Sequence, residues 1–331
     1  MLKEIALRVG RALDDKVFPG CVIGIVTKDG DRMVLPFGSF TYAPDAGEVG
    51  EDTIYDLASV TKSIPVASLV LTFIDEAKLS PTDVITKYIP ELQNDQGATI
   101  GDLLLYRVTG PQLSKLPHKT FEEIRTHIFE RGFNAPPGEK KYTNVPAFLL
   151  GIALERVGGS SLGALAHQYF FEPLGMRDTS FFFTDISRIP PTEIVNGEEI
   201  RGLVHDESAR VFARARRATG HAGLFSSAPD MLNFLESLLI RDYPFITEGA
   251  QKGWGWQSHE PWFMGSHVSR SAFGKTGFTG TSVVVDPFRG IAFVILSNRT
   301  YPKRPLDASS VTSAINVFRR DVADILLSAQ G

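Results

Sequence analysis

The sequence predicts an α+β fold, an antiparallel β-sheet flanked by helices, with a mostly helical lobe inserted into the sheet-bearing one. Three observations lead there. Strand-like apolar runs with turn signals lie near both ends of the chain. The long middle carries helix-type patterning. The composition is that of a globular protein able to bury a core, with 331 residues, 43% hydrophobic and 22% charged. Residues 1–62 and 200–331 are therefore assigned to an α/β lobe with a central antiparallel sheet, and residues 63–199 to a mainly helical lobe. Any site is expected in the cleft between them.

Each element follows from its local pattern. Residues 1–18 mix Lys3, Glu4, Arg8, Arg11, Asp14 and Asp15 with Leu2, Ile5, Val9 and Leu13, which predicts an amphipathic helix. Residues 21–28 and 31–37 are β-rich and are joined by Lys28-Asp29-Gly30-Asp31, a hairpin signal. Residues 39–52, rich in Gly, Asp and Pro, read as loop. Residues 64–77 are apolar nearly all round, as in a helix buried on every side, and Pro65 predicts a kink or a single turn ahead of it. A helix over 79–89 is signalled by Ser80-Pro81-Thr82-Asp83, and others follow over 99–106, 121–129, 145–157 and 162–171.

Further along, residues 223–227 form a short apolar run, and Ser227-Ala228-Pro229-Asp230 opens a helix over 230–241. Residues 254–257, 267–274, 280–286 and 291–298 are strand candidates, the last two joined by Asp286-Pro287-Phe288-Arg289-Gly290. Residues 311–327 close the chain as an amphipathic helix. The N-terminal hairpin is expected to join the C-terminal strands in one sheet.

Charge and cysteine content exclude several classes. A formal net charge of −4 gives no reason to expect nucleic acid as partner. The single cysteine, Cys21, sits in an apolar run and reads as a buried inert thiol, with no disulfide and no cysteine-based metal site. Charges interrupt the N-terminal segment, so no signal peptide is visible, and no stretch offers about 18 charge-free apolar residues for a membrane span. A cytoplasmic location is the expectation. No phosphate loop or dinucleotide fingerprint is present, and no cofactor is expected.

Three short motifs carry the chemistry. In Leu57-Ala58-Ser59-Val60-Thr61-Lys62, a serine and a lysine stand three residues apart and share a helix face, which lets an amine take the proton that makes a hydroxyl nucleophilic. Alone, the pair also fits a helix cap followed by a solvated lysine. Tyr142-Thr143-Asn144 follows a Pro137-Gly138 loop, and Lys275-Thr276-Gly277-Phe278 begins a strand. All three in this order resemble the penicillin-recognising serine hydrolases: class C β-lactamases, D,D-peptidases and β-lactamase-like esterases. The likeness extends through Pro173-Leu174-Gly175-Met176 and Gly220-His221-Ala222-Gly223-Leu224-Phe225-Ser226.

The resemblance implies a β-lactamase/transpeptidase-like fold and an acyl-enzyme on Ser59. Lys62 or Tyr142 would take the serine proton; the resemblance favours Tyr142, flanked by Lys62 and Lys275, as the acid/base, while the residues alone leave that choice open. Asn144 would hydrogen-bond Lys62 and the substrate. The backbone N–H groups of Ser59 and Phe278 would hold the oxyanion, with Lys275, Thr276 and Gly277 in the substrate-binding strand. Lysine at 275 tilts the substrate towards a carboxylate-bearing peptide or lactam. The expected partner is a small-molecule ester, D-amino-acid peptide or β-lactam. A penicillin-binding or muropeptide-sensing protein without turnover is the alternative. The chain is expected to be a monomer or weak homo-oligomer.

The chain departs from these relatives at Leu104-Leu105-Tyr106-Arg107-Val108-Thr109-Gly110, where they often read Leu-Leu-x-His-Thr-Ser-Gly. That puts the usual groups at the pocket border in doubt. His205, Asp206 and His221 could suggest a metal or a triad, but without regular ligand spacing they read as structural hydrogen-bonding groups, and no metal is expected. Arg210, Arg214, Arg216 and Arg217 read as a solvated surface, and Trp254, Trp256 and Trp262 as core and cleft wall.

Overall fold

Helix α1 (Leu2–Asp14) turns Ile5, Val9 and Ala12 inward and its charges outward, as its patterning requires. The expected hairpin follows as β1 (Gly20–Thr27) and β2 (Arg32–Gly38), with Cys21 opposite Phe37 and Val26 opposite Arg32. The computed structural model describes residues 1–116, 120–305 and 310–329. After β3 (Tyr55–Asp56) come α2 (Ser68–Asp75), α3 (Ile100–Leu104), α4 (Phe121–Arg131), α5 (Val145–Gly158) and α6 (Leu162–Ala166). A small hairpin, β4 (Glu193–Val195) and β5 (Glu198–Ile200), leads to α7 (Glu207–Arg214), β6 (Phe225–Ser226) and α8 (Ala228–Leu239). Then follow α9 (Pro244–Gln251), β7 (Gln257–Ser258), α10 (Pro261–Met264), β8 (Phe273–Thr276), β9 (Ser282–Asp286), β10 (Ile291–Ser297) and α11 (Ala314–Ser328).

Strands from both ends of the chain meet in one antiparallel sheet, in the order β2-β1-β10-β9-β8-β7. Its inner strands are apolar on both faces. Cys21, Ile23, Ile25, Phe293 and Ile295 pack beneath α1, α10 and α11, while Val22, Val26, Val294 and Leu296 belong to the larger core shared with α8 and the helical body. That double burial is why these strands read as unbroken apolar runs rather than as alternation. Cys21 is fully buried, and burial pushes its thiol far above the usual range.

Helix α2 is buried from Ser68 to Phe73 and packs against α5 and α9. The stretch Ala58–Asp75 is long and apolar enough to cross a membrane by composition alone, yet 83% of it is buried inside the fold. It is a core segment. As Pro65 foretold, it is not one helix. A 3₁₀ turn (Ala58–Lys62) is followed by a break at Ile64 (φ −117°, ψ 108°), a π turn (Ser63–Ala67) and then α2.

Several expectations are corrected. Residues 79–89 do not form a helix. The Asp83 carboxylate turns back to accept the Ser80 N–H at 3.1 Å, Val84 is extended and bridges Thr99, and only a 3₁₀ turn at Ile85–Lys87 remains. The strand expected over 267–274 is displaced to β8, because Asp286 accepts both the N–H (2.8 Å) and the hydroxyl (2.6 Å) of Ser269 and holds the preceding segment in turns. The strand expected over 254–257 shrinks to β7, since Gly255 is left-handed (φ 72°) and its N–H goes to Leu104 instead. The β4–β5 hairpin, at the end of the stretch assigned to a mainly helical lobe, has no counterpart among the predicted elements; it turns at Asn196-Gly197 with φ of 53° and 85°.

Candidate active site

The Ser59 segment is held by its neighbours on both sides. Strand β3 pairs with β6, and the Leu57 N–H continues that pairing to Leu224 O at 2.9 Å. Ala58 then adopts φ 47°, a conformation that L-residues rarely take, with its N–H on Asp56 Oδ1 at 2.8 Å. This bend throws the chain into the 3₁₀ turn that carries Ser59 and Lys62. In such a turn, side chains three apart eclipse, and Lys62 Nζ lies 2.8 Å from Ser59 Oγ. Lys62 is 2% exposed and also donates to His221 O at 2.5 Å.

Lys275 comes from β8 and is equally buried. Its Nζ sits 4.9 Å from the ring centre of Tyr106 and 4.8 Å from that of Tyr142, and donates to the Tyr106 hydroxyl at 3.5 Å. Lys62 Nζ lies 5.4 Å from the Tyr142 ring. Tyr142 is thus between the two lysines as expected, but it meets them with its ring face. It is 51% exposed, and its hydroxyl has no hydrogen bond among the described residues. Burial, then the positive charges of Lys62 and Lys140, hold the Lys275 ammonium well below its ordinary pKa. Burial, then the nearby Tyr142, pushes the Tyr106 phenol well up.

Asn144 does not reach Lys62. It caps α5 without a side-chain bond, and the acceptors around Lys62 Nζ are Ser59 Oγ and His221 O. Gly277 is required by packing. A Cβ there would lie 2.1 Å from Thr281 Oγ1 and 2.4 Å from Leu57 O, so the glycine lets the β8–β9 turn close onto the Ser59 segment. Phe278 follows, and neither its N–H nor that of Ser59 donates to a described residue.

That turn is braced from behind. Thr279 Oγ1 donates to Asp56 O at 2.6 Å and Thr281 Oγ1 to Leu57 O at 3.0 Å. Arg319 of α11, 2% exposed, donates to Gly277 O (2.8 Å) and Thr281 O (2.6 Å), and Arg299 Nε to Phe278 O (2.8 Å). Strand β7 pairs only with Phe273 and Gly274, so beside Lys275 and Thr276 the sheet edge is open, and the Gln257 side chain takes the Thr276 N–H at 3.3 Å.

These parts converge on a cleft of about 350 Å³ whose walls include Ser59, Tyr106, Tyr142, Trp262, Lys275 and Phe278. Trp256 and Trp262 do line it, while Trp254 packs against the core. His205 and His221 are buried and serve the frame. His221 Nε2 lies 3.0 Å from Ser208 Oγ and 3.4 Å from Asp206 Oδ1, which steadies the carbonyl that receives Lys62. Burial alone would raise the Asp206 carboxyl, but the hydrogen bond and charge of His221 outweigh it and hold it well below the carboxylate range. Among the described residues, no three His, Cys, Asp or Glu side chains converge to hold a metal. Arg210 is not solvated as expected. It is buried and donates to the Val204 and His205 carbonyls, while Arg214, Arg216 and Arg217 are exposed.

A family model described as Beta-lactamase matches residues 8–314. The chain belongs to the Beta-lactamase family. It is 28% identical over 305 residues to the "Putative D-alanyl-D-alanine carboxypeptidase" of Escherichia coli (strain K12), covering 75% of this chain and 70% of that one. It is 25% identical over 349 residues to the N-acetylmuramyl-L-alanine amidase of Bacillus subtilis (strain 168), covering 86% and 78%. The fold is shared with a solved beta-lactamase/D-alanine carboxypeptidase from Pseudomonas syringae, with a TM-score of 0.73 at 18% identity over 96% of this chain and 98% of that one.

Proposed function

We propose that this Beta-lactamase-family serine hydrolase forms an acyl-enzyme on Ser59 and hydrolyses an amide or ester of a small carboxylate-bearing peptide. The observation that carries the reading is the 2.8 Å contact between Ser59 Oγ and a buried lysine amine that has no carboxylate partner among the described residues. Two lysines beside one tyrosine ring cannot both be charged cheaply, and it is the Lys275 ammonium that burial and its cationic neighbours hold well below its ordinary pKa. Lys62 takes the Ser59 proton as Oγ attacks the substrate carbonyl. The tetrahedral oxygen sits against the Ser59 and Phe278 N–H groups, which have no acceptor to give up among the described residues. The proton passes to the leaving group as the acyl-enzyme forms, and Tyr142, whose hydroxyl is exposed at the cleft, assists that transfer. Water then attacks the acyl-enzyme and releases Ser59.

Lys140, Lys275 and Arg299 all line the cleft and favour a substrate carboxylate. The names of the two relatives, a putative carboxypeptidase for D-alanyl-D-alanine and an N-acetylmuramyl-L-alanine amidase, point to the same peptide class. The test offers wild type and Ser59→Ala a D-Ala-D-Ala peptide, a short p-nitrophenyl ester and a chromogenic cephalosporin, following turnover and intact mass. Wild type should turn over the peptide fastest, and Ser59→Ala should neither turn over nor gain mass. Turnover that survives in Ser59→Ala would sink the nucleophile assignment. A lasting adduct without turnover would instead indicate a binding or sensing protein.

A further inference from the structure

We propose that Asp56 is the positioning residue of the oxyanion hole, fixing with one side chain and one carbonyl both backbone amides that face the developing charge. The inference rests on the acyl-enzyme reading above and adds a residue to it. Asp56 is 2% exposed and has no Lys, Arg or His within ion-pair distance among the described residues. A buried carboxylate is costly unless its oxygens are satisfied, and here each oxygen serves a different segment of the site. Oδ1 accepts the Ala58 N–H at 2.8 Å, and Oδ2 accepts the His205 N–H at 2.7 Å.

The first bond holds the bend before the nucleophile. Ala58 at φ 47° is strained, and its N–H is tied back to Asp56, which aims the next amide, that of Ser59, into the cleft. The second bond holds His205, whose ring stacks on Phe278 with centroids 5.7 Å apart and planes 26° from parallel. The Asp56 carbonyl adds a third tie, accepting the Thr279 hydroxyl at 2.6 Å one residue beyond Phe278. Both halves of the hole are therefore referred to a single residue. A neutral acceptor could cap the Ala58 bend alone. Here the two N–H groups go to different oxygens, and an amide in this place would turn its NH2 group towards one of those donors.

The groups around this hub are few. His205 Nε2 faces Glu193 at 3.2 Å, Glu193 pairs with Arg304, and the Arg299 and Arg304 guanidinium groups lie 5.3 and 5.9 Å from the Phe278 ring centre. Burial pushes the Asp56 carboxyl up, and the His205 and Ala58 N–H groups pull it part of the way back.

The experiment compares wild type, Ser59→Ala, Asp56→Asn and Thr279→Val. It measures phenylboronic acid affinity, since a boronate forms a tetrahedral adduct on a serine with an oxygen in the hole. It also measures kcat and KM on whichever of the three substrates wild type turns over, and checks folding by circular dichroism. Asp56→Asn, isosteric but one acceptor short, should weaken boronate binding and lower kcat by about 10- to 100-fold, below the 10²–10³ of losing a donor outright, with KM within three-fold. Thr279→Val should shift both in the same direction by about three- to ten-fold.

A folded Asp56→Asn with boronate affinity within two-fold of wild type overturns the proposal, as does a parallel loss in KM, which a merely structural role would give. If Asp56→Asn does not fold, Thr279→Val decides by the same criteria. Boronate binding and turnover that persist in Ser59→Ala fail the parent reading. Their loss there with a wild-type-like Asp56→Asn fails the positioning role alone.

Discussion

At the scale of single residues, the site turns on how two lysines and two tyrosines share one small space. Tyr106 and Tyr142, with ring centres 5.2 Å apart, present their faces to Lys275, and Tyr142 does so to Lys62 as well. Ring faces stabilise a nearby cation, whereas a phenol acting as base must meet the nucleophile through its oxygen. The two candidate bases are therefore separable by mutation. Lys62→Met should lower the acylation rate by about 10²- to 10⁴-fold, the usual loss for a general base. Tyr142→Phe, which keeps the ring between the lysines, should hold acylation within about ten-fold. Stopped-flow release of p-nitrophenol measures both, and a loss above 10² in Tyr142→Phe would move the base to the phenol.

How much of this site was legible in the sequence follows from where its partners lie. Ser59 and Lys62 are close in the chain, and their three-residue spacing is itself the geometry. Lys275 and Tyr142 could be placed beside them through the family resemblance. The braces could not. Asp56, Thr279 and Arg319 act through backbone groups far away in sequence, and no spacing reveals which carbonyl a buried arginine will meet. Asp56 alone left a signal, an Asx residue two before a strained bend. Asn144 shows the converse, since its motif is present while its hydrogen bond to Lys62 is not.

At the scale of elements, close approach of backbones places Lys62. Gly220 packs against α5 so tightly that a Cβ would lie 2.1 Å from Ala147 O, and one on Gly151 would lie 3.0 Å from Gly220 N. The next residue, His221, supplies the carbonyl that receives Lys62. Gly220→Ala should therefore cost about 1–3 kcal/mol of stability through overpacking and also lower kcat by displacing that carbonyl. Urea unfolding and steady-state kinetics on the same preparation check both. A stability loss without any change in kcat would show that the Lys62 anchor tolerates movement of α5. The elements themselves were readable where burial is periodic, as in α1, or continuous, as in β1 and β10. They were misread at 79–89 and 267–274, where Asp83 and Asp286 capture nearby amides and local polar bonds override the pattern.

At the scale of the molecule, stability should depend on pH through a carboxyl that joins the helical body to the sheet. Asp230 of α8, 6% exposed, accepts the Asp178 N–H at 2.7 Å and the Thr179 hydroxyl at 2.8 Å, and Asp178 in turn pairs with Arg188. Burial pushes its carboxyl up from 3.8 to about 6. Folding thus favours the protonated form relative to the unfolded chain. Its contribution is fully present below the ordinary carboxyl range and is lost as pH rises through about 6. Between pH 4 and pH 7.5, wild type should lose about 2–3 kcal/mol that Asp230→Asn, which cannot ionise, does not lose. Denaturant titrations across that interval measure the difference, and parallel curves for the two proteins would remove Asp230 as the cause.

The two rims of the sheet are chemically unlike. Strand β2 forms one rim, partly exposed along its length, and carries Pro36 opposite Val22, so a backbone donor is missing there. The other rim stops short at β7 and opens only beside Lys275 and Thr276, within the cleft. A foreign strand can therefore dock on one side and finds a poor template on the other. Stacking of copies edge to edge, the route by which exposed sheets polymerise, would stall after a single addition. The rim interrupted by Pro36 thus keeps the native molecule from serving as a seed for fibres, while the short open edge lies only inside the cleft.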